Sequence, residues 1–369
     1  MISSSHARNR LKASHHADPD LAGEAVPANH PLRAIKQLTE EALAKLSPVF
    51  DAIYSSVGRP SIPSERLLKA TLLMAFYTVR SERLFCEQLG YNLLFRWFLD
   101  MDPVEDGFDP TVFTKNRKRL LEHDVAREFF VAIVERAKAD GLMSDEHFTV
   151  DGTLIEAWPS MKSFRPNDEK PSDRTPPDDP GNPTVEFHGE KRSNATHQST
   201  TDPEARLAKK GKGKEAKLAF SQHALMENRH GLLVDVRIDE ANGKAEVTNA
   251  IEMLADNVKS AKPTVAGDKG YDTKEFVMAA RYMSMTPHVA QNISGNRSSA
   301  IDQRTTRHSG YDVSQRLRKR VEETFGWTKS VANFRRTRYK GRARTQMVSY
   351  FVGAAYNLLR ISRLQEAMT

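Results

Sequence analysis

Apolar residues recur at three- and four-residue spacing through the first third of the chain, in Leu32-Ile35-Leu38, Leu43-Leu46 and Leu67-Leu68-Thr71-Leu72-Ala75. That is the period of helices that bury one face. From Pro31 to about Gly141 the pattern predicts an all-helical domain. Starts are signalled at Ser64 before Glu65, at Asp109-Pro110 and at Asp124 before Val125, where a short polar side chain can accept the first free N–H groups and proline needs no donor. After His147 the grammar changes. Phe148 to Val150 read as a strand that Gly152 ends, and Leu218 to Leu225 with Leu232 to Ile238 read as a hairpin turning at Glu227-Asn228-Arg229-His230-Gly231. A helix is expected over Ala245 to Val258, a strand over Pro263 to Ala266, a helix over Thr273 to Tyr282 and a short strand over Met285 to Ala290.

Strand, hairpin, helix, strand, helix, strand, helix is the order of a ribonuclease H-like fold. The expected architecture is therefore an all-helical N-terminal domain over residues 31–143, followed over residues 144–369 by a ribonuclease H-like catalytic domain with a mixed five-stranded sheet. Residues 159–215 are rich in Pro, Asp, Lys, Gly, Ser and Thr and lack periodicity, so they read as a long polar insertion. Residues 1–30 read as a disordered polar tail, without the apolar core of a secretory signal.

Composition narrows the partners. With 39% apolar residues the chain can build a core, and its formal net charge is +7. The excess sits largely after residue 300, where Arg and Lys recur through Arg344. A local basic patch binds polyanions through counterion release. Cys86 is the one cysteine, which excludes an intrachain disulfide and a cysteine-cluster zinc site and suits a reducing cytoplasm. The most apolar stretch, Leu67 to Tyr77, is too short to span a bilayer, so no membrane role is expected.

The candidate chemistry is acidic. Asp151 ends the run Phe148-Thr-Val-Asp151-Gly, Asp268 ends Thr264-Val-Ala-Gly-Asp268, and Glu322 stands among cations in Gln315-Arg-Leu-Arg318-Lys-Arg-Val-Glu322. On one continuous helix, at about 100° per residue, Arg318 lies roughly 40° and Lys329 roughly 20° from Glu322, apart from an apolar stripe of Leu317, Val321, Phe325 and Thr328. Two strand ends and a helix that bring three carboxylates together can hold divalent cations. Hard oxygen donors without a Cys or His cluster favour Mg²⁺, with Mn²⁺ substituting, over zinc. Two ions about 4 Å apart would activate the attacking oxygen and stabilise the leaving one, Asp151 bridging while Asp268 and Glu322 each favour one metal.

These residues resemble the DDE transposases of bacterial insertion sequences, in the group marked by Tyr-x2-Arg-x3-Glu-x6-Lys around the last acid. Arg318, Glu322 and Lys329 match three of the four places, and Gln315 stands where that group has Tyr. The acid spacings fit, 268 − 151 = 117 and 322 − 268 = 54, and Asp268-Lys-Gly-Tyr-Asp272 is typical of the family's second-aspartate motif. The resemblance implies a transposase that binds terminal inverted repeats, cuts at element ends and joins 3′-hydroxyls to target DNA. It also implies double-stranded DNA as partner, a homodimer or higher assembly in the synaptic complex, and a cytoplasmic, nucleoid-associated protein. It assigns Arg318 and Lys329 to transposon-end DNA.

Further DNA contacts are expected from Lys269 beside the second acid, from Lys115 and Arg117 on the basic edge of a short helix that reads as a recognition helix, and from Arg335, Arg336 and Arg338, where cations alternate with aromatics. Lys209 to Lys214 could lie along phosphates, and Arg192 and His197 could help shape a DNA channel. Glu156 and Glu323 are decoys that need not face the metals, and His188, His197 and His223 lack ligand spacing. Two other functions remain open on the sequence: an inactive, domesticated relative that only binds DNA, and a ribonuclease H-like nuclease without strand transfer.

Overall fold

The computed structural model describes residues 21–53, 62–167, 186–187, 190–211, 213–293 and 298–368. It divides into two compact units, one of residues 1–136, 331–333 and 354–369, the other of 137–330 and 334–353. Of the expected polar tail, residues 1–20 lie outside the described residues, and Leu21–Ala25 form a short helix, α1.

The first unit is built from α1, α2 (Leu32–Lys45), α3 (Ser47–Ile53), α4 (Ser64–Phe76), α5 (Glu82–Leu89), α6 (Leu93–Phe98), α7 (Thr111–Glu122) and most of α8 (Val125–Ala139). Ser81 and Asn92 cap α5 and α6, their side chains accepting from the Leu84 and Phe95 N–H groups at 3.1 Å. Asp109 takes the Thr111 N–H at 2.8 Å, as its place before Pro110 predicts. Ser64 is not a cap: α4 starts behind Pro63 with no side-chain cap bond. An aromatic cluster forms the centre, Phe85 stacking on Phe95 at 5.5 Å and meeting Phe113 edge-on at 6.1 Å. Lys69, buried, is held by Glu40 and Asp100, which removes the cost of an unpaired interior charge.

The second unit starts with β1 (His147–Glu156), β2 (Phe164–Pro166), β3 (Glu186–Phe187), β4 (Glu190–Lys191), β5 (His197–Ser199), β6 (Arg206–Lys209), β7 (Ala216–Glu227) and β8 (Leu233–Glu240). It continues through α9 (Ala245–Asn257), β9 (Thr264–Gly267), α10 (Lys274–Tyr282), β10 (Thr286–Val289), α11 (Gln303–Thr306), α12 (Ser309–Leu317), α13 (Arg320–Ser330) and the start of α14 (Arg342–Glu366). The main sheet runs β10-β9-β1-β7, parallel among the first three and antiparallel between β1 and β7. On the far edge of β7 two strands lie end to end, β8 against residues 220–226 and β6 against 216–219. The sheet is thus mixed and five strands wide, with a sixth strand sharing the outer edge.

β6 falls inside the polar stretch expected to form no regular structure. It is ordered because β7 runs four residues beyond its pairing with β8, and the backbone groups left free there are satisfied by Arg206–Lys209. Residues 168–185 of that stretch lie outside the described residues.

One face of the sheet is covered by α9 and α10, whose Met253, Leu254, Phe276 and Val277 join Phe148, Val150, Leu225 and Val265 in one core. From α14, the Gln346 amide accepts the Ile238 N–H and donates to the Val236 carbonyl at 2.9 Å, which closes the outer edge of β8. The hairpin turn is fixed from inside. Fully buried Glu227 accepts backbone N–H groups of Ser144, Arg229, His230 and Leu232 at 2.7 to 3.3 Å, while Gly231 supplies the left-handed conformation (φ +74°). Among the described residues no helix is long and apolar enough to cross a membrane.

Candidate active site

β1 carries Asp151 at the middle of the sheet, opposite Ala224 of β7, and parallel β9 delivers Asp268 one residue past its end. The loop around Asp268 is built for close approach. A Cβ on Gly270 would lie 2.9 Å from Asp268 Oδ1, and a Cβ on Gly267 3.0 Å from the Tyr271 ring. Glycine at both places lets the loop fold on itself, with Asp268 Oδ1 accepting the Gly270 N–H at 2.7 Å. Tyr271 is buried against Phe276, and Asp272 accepts the N–H groups of Asn292 and Ala300 at 2.6 and 2.8 Å. In Asp268-Lys-Gly-Tyr-Asp272 the first acid is therefore presented and the last one is taken up by two backbone N–H groups.

Glu322 lies exposed in the first turn of α13, whose Val321, Thr324, Phe325 and Thr328 are buried and which packs on β1. The expected stripe is present from Val321 onward. The continuous helix is not: α12 ends at Leu317, and the hydrogen bonds from Val321 and Glu322 to Arg318 and Lys319 span three residues rather than four. The angular relation between Arg318 and Glu322 drawn for one helix does not hold across this joint. Arg318 donates to Gln315 Oε1 at 3.0 Å, and Gln315 Nε2 donates to the His288 carbonyl at 2.6 Å. Gln315, in the Tyr place of the motif, so ties α12 to β10 and orients Arg318.

The acids feel one another. The Asp151 carboxyl is pushed up to about 7, first by burial and then by the charges of Asp268, Glu246 and Glu322, against the lowering effect of the Gly152 N–H. Glu246, in the first turn of α9, is itself raised by burial and by Asp268, and takes a hydrogen bond from the Tyr271 hydroxyl. Sequence reasoning missed it. An acid in a helix's first turn is ordinarily placed there by the helix dipole, and no spacing separates Glu246 from that case.

Among the described residues, no three His, Cys, Asp or Glu side chains are gathered to metal-coordinating geometry. The chemistry of the donors nevertheless fits a divalent cation. All are hard carboxylate oxygens, burial and the neighbouring acids disfavour ionisation of Asp151 and Glu246, and the ion pairs of nearby acids fall elsewhere, on Glu156, Asp235, Asp239 and Glu240.

Cations flank one side. The Lys329 ammonium donates to Thr153 Oγ1, two residues beyond Asp151 on β1. It is lowered to about 8, first by burial and then by Lys210 and Arg335, with Glu156 and Asp151 opposing. Arg335 is exposed, and its backbone is fixed to the end of β1: its carbonyl accepts the Glu156 N–H at 2.9 Å, and Thr337 donates to the Glu156 carbonyl at 2.8 Å. Glu156, the expected decoy, pairs with Lys217 at 2.9 Å.

The other expected contacts divide. Lys269 is exposed beside Asp268, and Arg338 is half-buried. Arg336 is exposed but engaged along the chain surface, donating to the Ala157 and Trp158 carbonyls and lying over the Trp158 ring at 5.7 Å. In the first unit, Lys115 is exposed on α7, whereas Arg117 forms an ion pair with Glu82. Among the histidines, His188 lies outside the described residues; His197 is buried, and its ring nitrogen meets Thr196 Oγ1.

Two family models match the chain. Residues 21–119 match a transposase domain (DUF772), and residues 183–358 match the transposase DDE domain, a span that includes Asp268 and Glu322 and begins after Asp151. No curated protein matches it. Among solved structures, a piggyBac transposase synaptic complex with hairpin DNA is similar at 9% identity and a TM-score of 0.40, covering 91% of this chain and 76% of that one. A Mos1 transposase paired-end complex with the left transposon end is similar at 11% identity and a TM-score of 0.21, covering 84% and 82%. The functional reading rests on the family matches.

Proposed function

The chain belongs to the insertion-sequence DDE transposases, and we propose that it binds the terminal inverted repeats of its element as a dimer or larger assembly, hydrolyses each end and joins the freed 3′-hydroxyls to target DNA. As a DDE transposase it is a metal-dependent enzyme that cleaves DNA and transfers strands. In this reading Asp151, Asp268 and Glu322 hold a pair of Mg²⁺ ions, or Mn²⁺ in their place. Bound there, the cations supply the positive charge that activates the attacking oxygen and stabilises the leaving one. The observation that carries the proposal is the field at Asp151: its half-buried carboxyl bears the charges of Asp268 and Glu322, which are remote in the chain.

The flanking cations suit a phosphate backbone. Lys210 and Arg335 lie close enough to repel the Lys329 ammonium, and a phosphodiester beside it relieves that repulsion. Because Lys329 is lowered to about 8, its charge is present below that pH and lost above it. The kcat/KM of strand nicking, which reports the free enzyme, should fall with an apparent pKa near 8 as pH rises. Lys329→Arg should keep the profile flat to pH ~9 because guanidinium does not titrate there; an unchanged profile in that variant removes Lys329 from the role.

The reaction is tested with the full chain, Mg²⁺, a duplex bearing the element end and a target plasmid. Nicks at the repeat boundary followed by covalent joining to the plasmid are expected. Nicks without joining would favour a nuclease, and binding without nicks a DNA-binding relative.

A further inference from the structure

We propose that Glu246 is a fourth carboxylate of the catalytic centre, a donor to the divalent cation that Asp151 and Asp268 share. This rests on the metal-centre reading above and extends it to a residue outside the three-acid motif. α9 does not need Glu246 at its start. Asn242 Oδ1 already accepts the Lys244 and Ala245 N–H groups at 3.0 and 2.7 Å, so the side chain that caps the start of the helix is another one.

Glu246 is instead held between the two aspartate-bearing segments. On one side its Oε1 reaches so close to β1 that a Cβ on Gly152, the residue after Asp151, would lie 3.0 Å from it. A glycine there is what allows a carboxylate to press on the strand beside the first acid. On the other side the buried Tyr271 hydroxyl, three residues past Asp268, donates to it. As a result the charge of Glu246 is felt at Asp151, and that of Asp268 at Glu246.

An independent feature marks the same spot. His223, opposite Gly152 on β7, is 2% exposed, and its Nε2 meets Ser221 Oγ at 3.0 Å. Among the described residues its Nδ1 has no partner, and it lies 3.2 Å from where the Gly152 Cβ would be, the point that Glu246 Oε1 also approaches. A buried ring nitrogen left without a partner next to a carboxylate is a place where an ordered ligand, such as a cation's water, satisfies both.

The test is Mn²⁺ binding to the full-length protein without DNA, followed by calorimetry and by the electron paramagnetic resonance signal of free Mn²⁺, for wild type, Glu246→Gln, Glu246→Asp and Asp268→Asn. Glu246→Gln should weaken binding by tenfold or more without lowering the melting temperature in chelator, because the neutral amide avoids the cost of ionising a carboxyl that burial and Asp268 raise. Glu246→Asp, which keeps the charge and shortens its reach, should weaken binding at least threefold, and it decides the matter if the Gln variant does not fold. If Asp268→Asn loses Mn²⁺ and both Glu246 variants bind like wild type, Glu246 is not a donor and only this inference falls. If Asp268→Asn also binds like wild type, the metal centre itself is wrong, and the inference falls with it.

Discussion

Asp151→Asn is expected to lower end nicking by at least about 10³-fold, leave duplex binding within about twofold of wild type, and raise the melting temperature of the metal-free protein. The first effect follows from position. Asp151 sits at the centre of the sheet with Asp268, Glu246 and Glu322 around it, so its charge is the one that every other acid's field acts on. Asparagine keeps the shape and can still accept the Gly152 N–H that Asp151 Oδ1 takes at 2.8 Å, but it carries no charge to hold a cation.

The stability effect runs the other way because the folded-state pKa of Asp151 is raised from 3.8 to about 7. Between those values the folded chain binds a proton that the unfolded chain releases, so without metal the wild type loses stability as pH rises through this window and has lost all of it above about 7. The neutral amide does not incur that loss. A gain that is present at pH ~8 and absent near pH ~4 is therefore the expected signature, at roughly 2–4 °C per kcal/mol. A residue that is costly to the fold and necessary to the chemistry is typical of a functional site. Were Asp151→Asn active and no more stable, Asp151 would be an ordinary strand residue.

How much of this was legible depended on how local the signal was. The start of β1 at Phe148, the hairpin around Gly231 and the Asp268 loop were readable because an apolar run, a glycine turn and an acid after a short apolar run are written within a few residues, whereas Gly152 does not end β1 as expected, since pairing with β7 carries the strand on to Glu156. The joint between α12 and α13 was hidden: Arg318 and Lys319 are good helix formers, and the tightening of the backbone there shows in neither residue. β6 was hidden because Arg206–Lys209 has no apolar alternation of its own; the free edge of β7 orders it. Arg336 looked like part of a nucleic-acid track, yet its guanidinium is taken up by two carbonyls and Trp158, contacts that depend on the crossing of the segment after α13 with the end of β1. The C-terminal helix α14 was passed over, although its buried Met347, Phe351, Ala355, Leu358 and Ile361 recur at helical spacing, because the cations that begin it drew the reading toward DNA.

The metal centre makes a second large prediction, at Asp268. Its loop positions the carboxylate by backbone geometry, through the Gly270 N–H and the close packing permitted at Gly267 and Gly270, and among the described residues no ion pair is part of that arrangement. A cysteine there preserves the loop and exchanges a hard oxygen donor for a softer thiolate. Mg²⁺ binds thiolate poorly, whereas Mn²⁺ tolerates it better. Asp268→Cys should therefore nick end-bearing duplex at least about 10³-fold more slowly than wild type in Mg²⁺ and regain about 10-fold or more in Mn²⁺, while Asp268→Ala stays inactive in both. The measurement that tests the account most directly is that four-way comparison of nicking rates, two variants in two metals. Recovery confined to the thiolate with Mn²⁺ is the predicted result; equal activity of Asp268→Cys and Asp268→Ala in Mn²⁺, or wild-type activity of either in Mg²⁺, would contradict a cation held by Asp268.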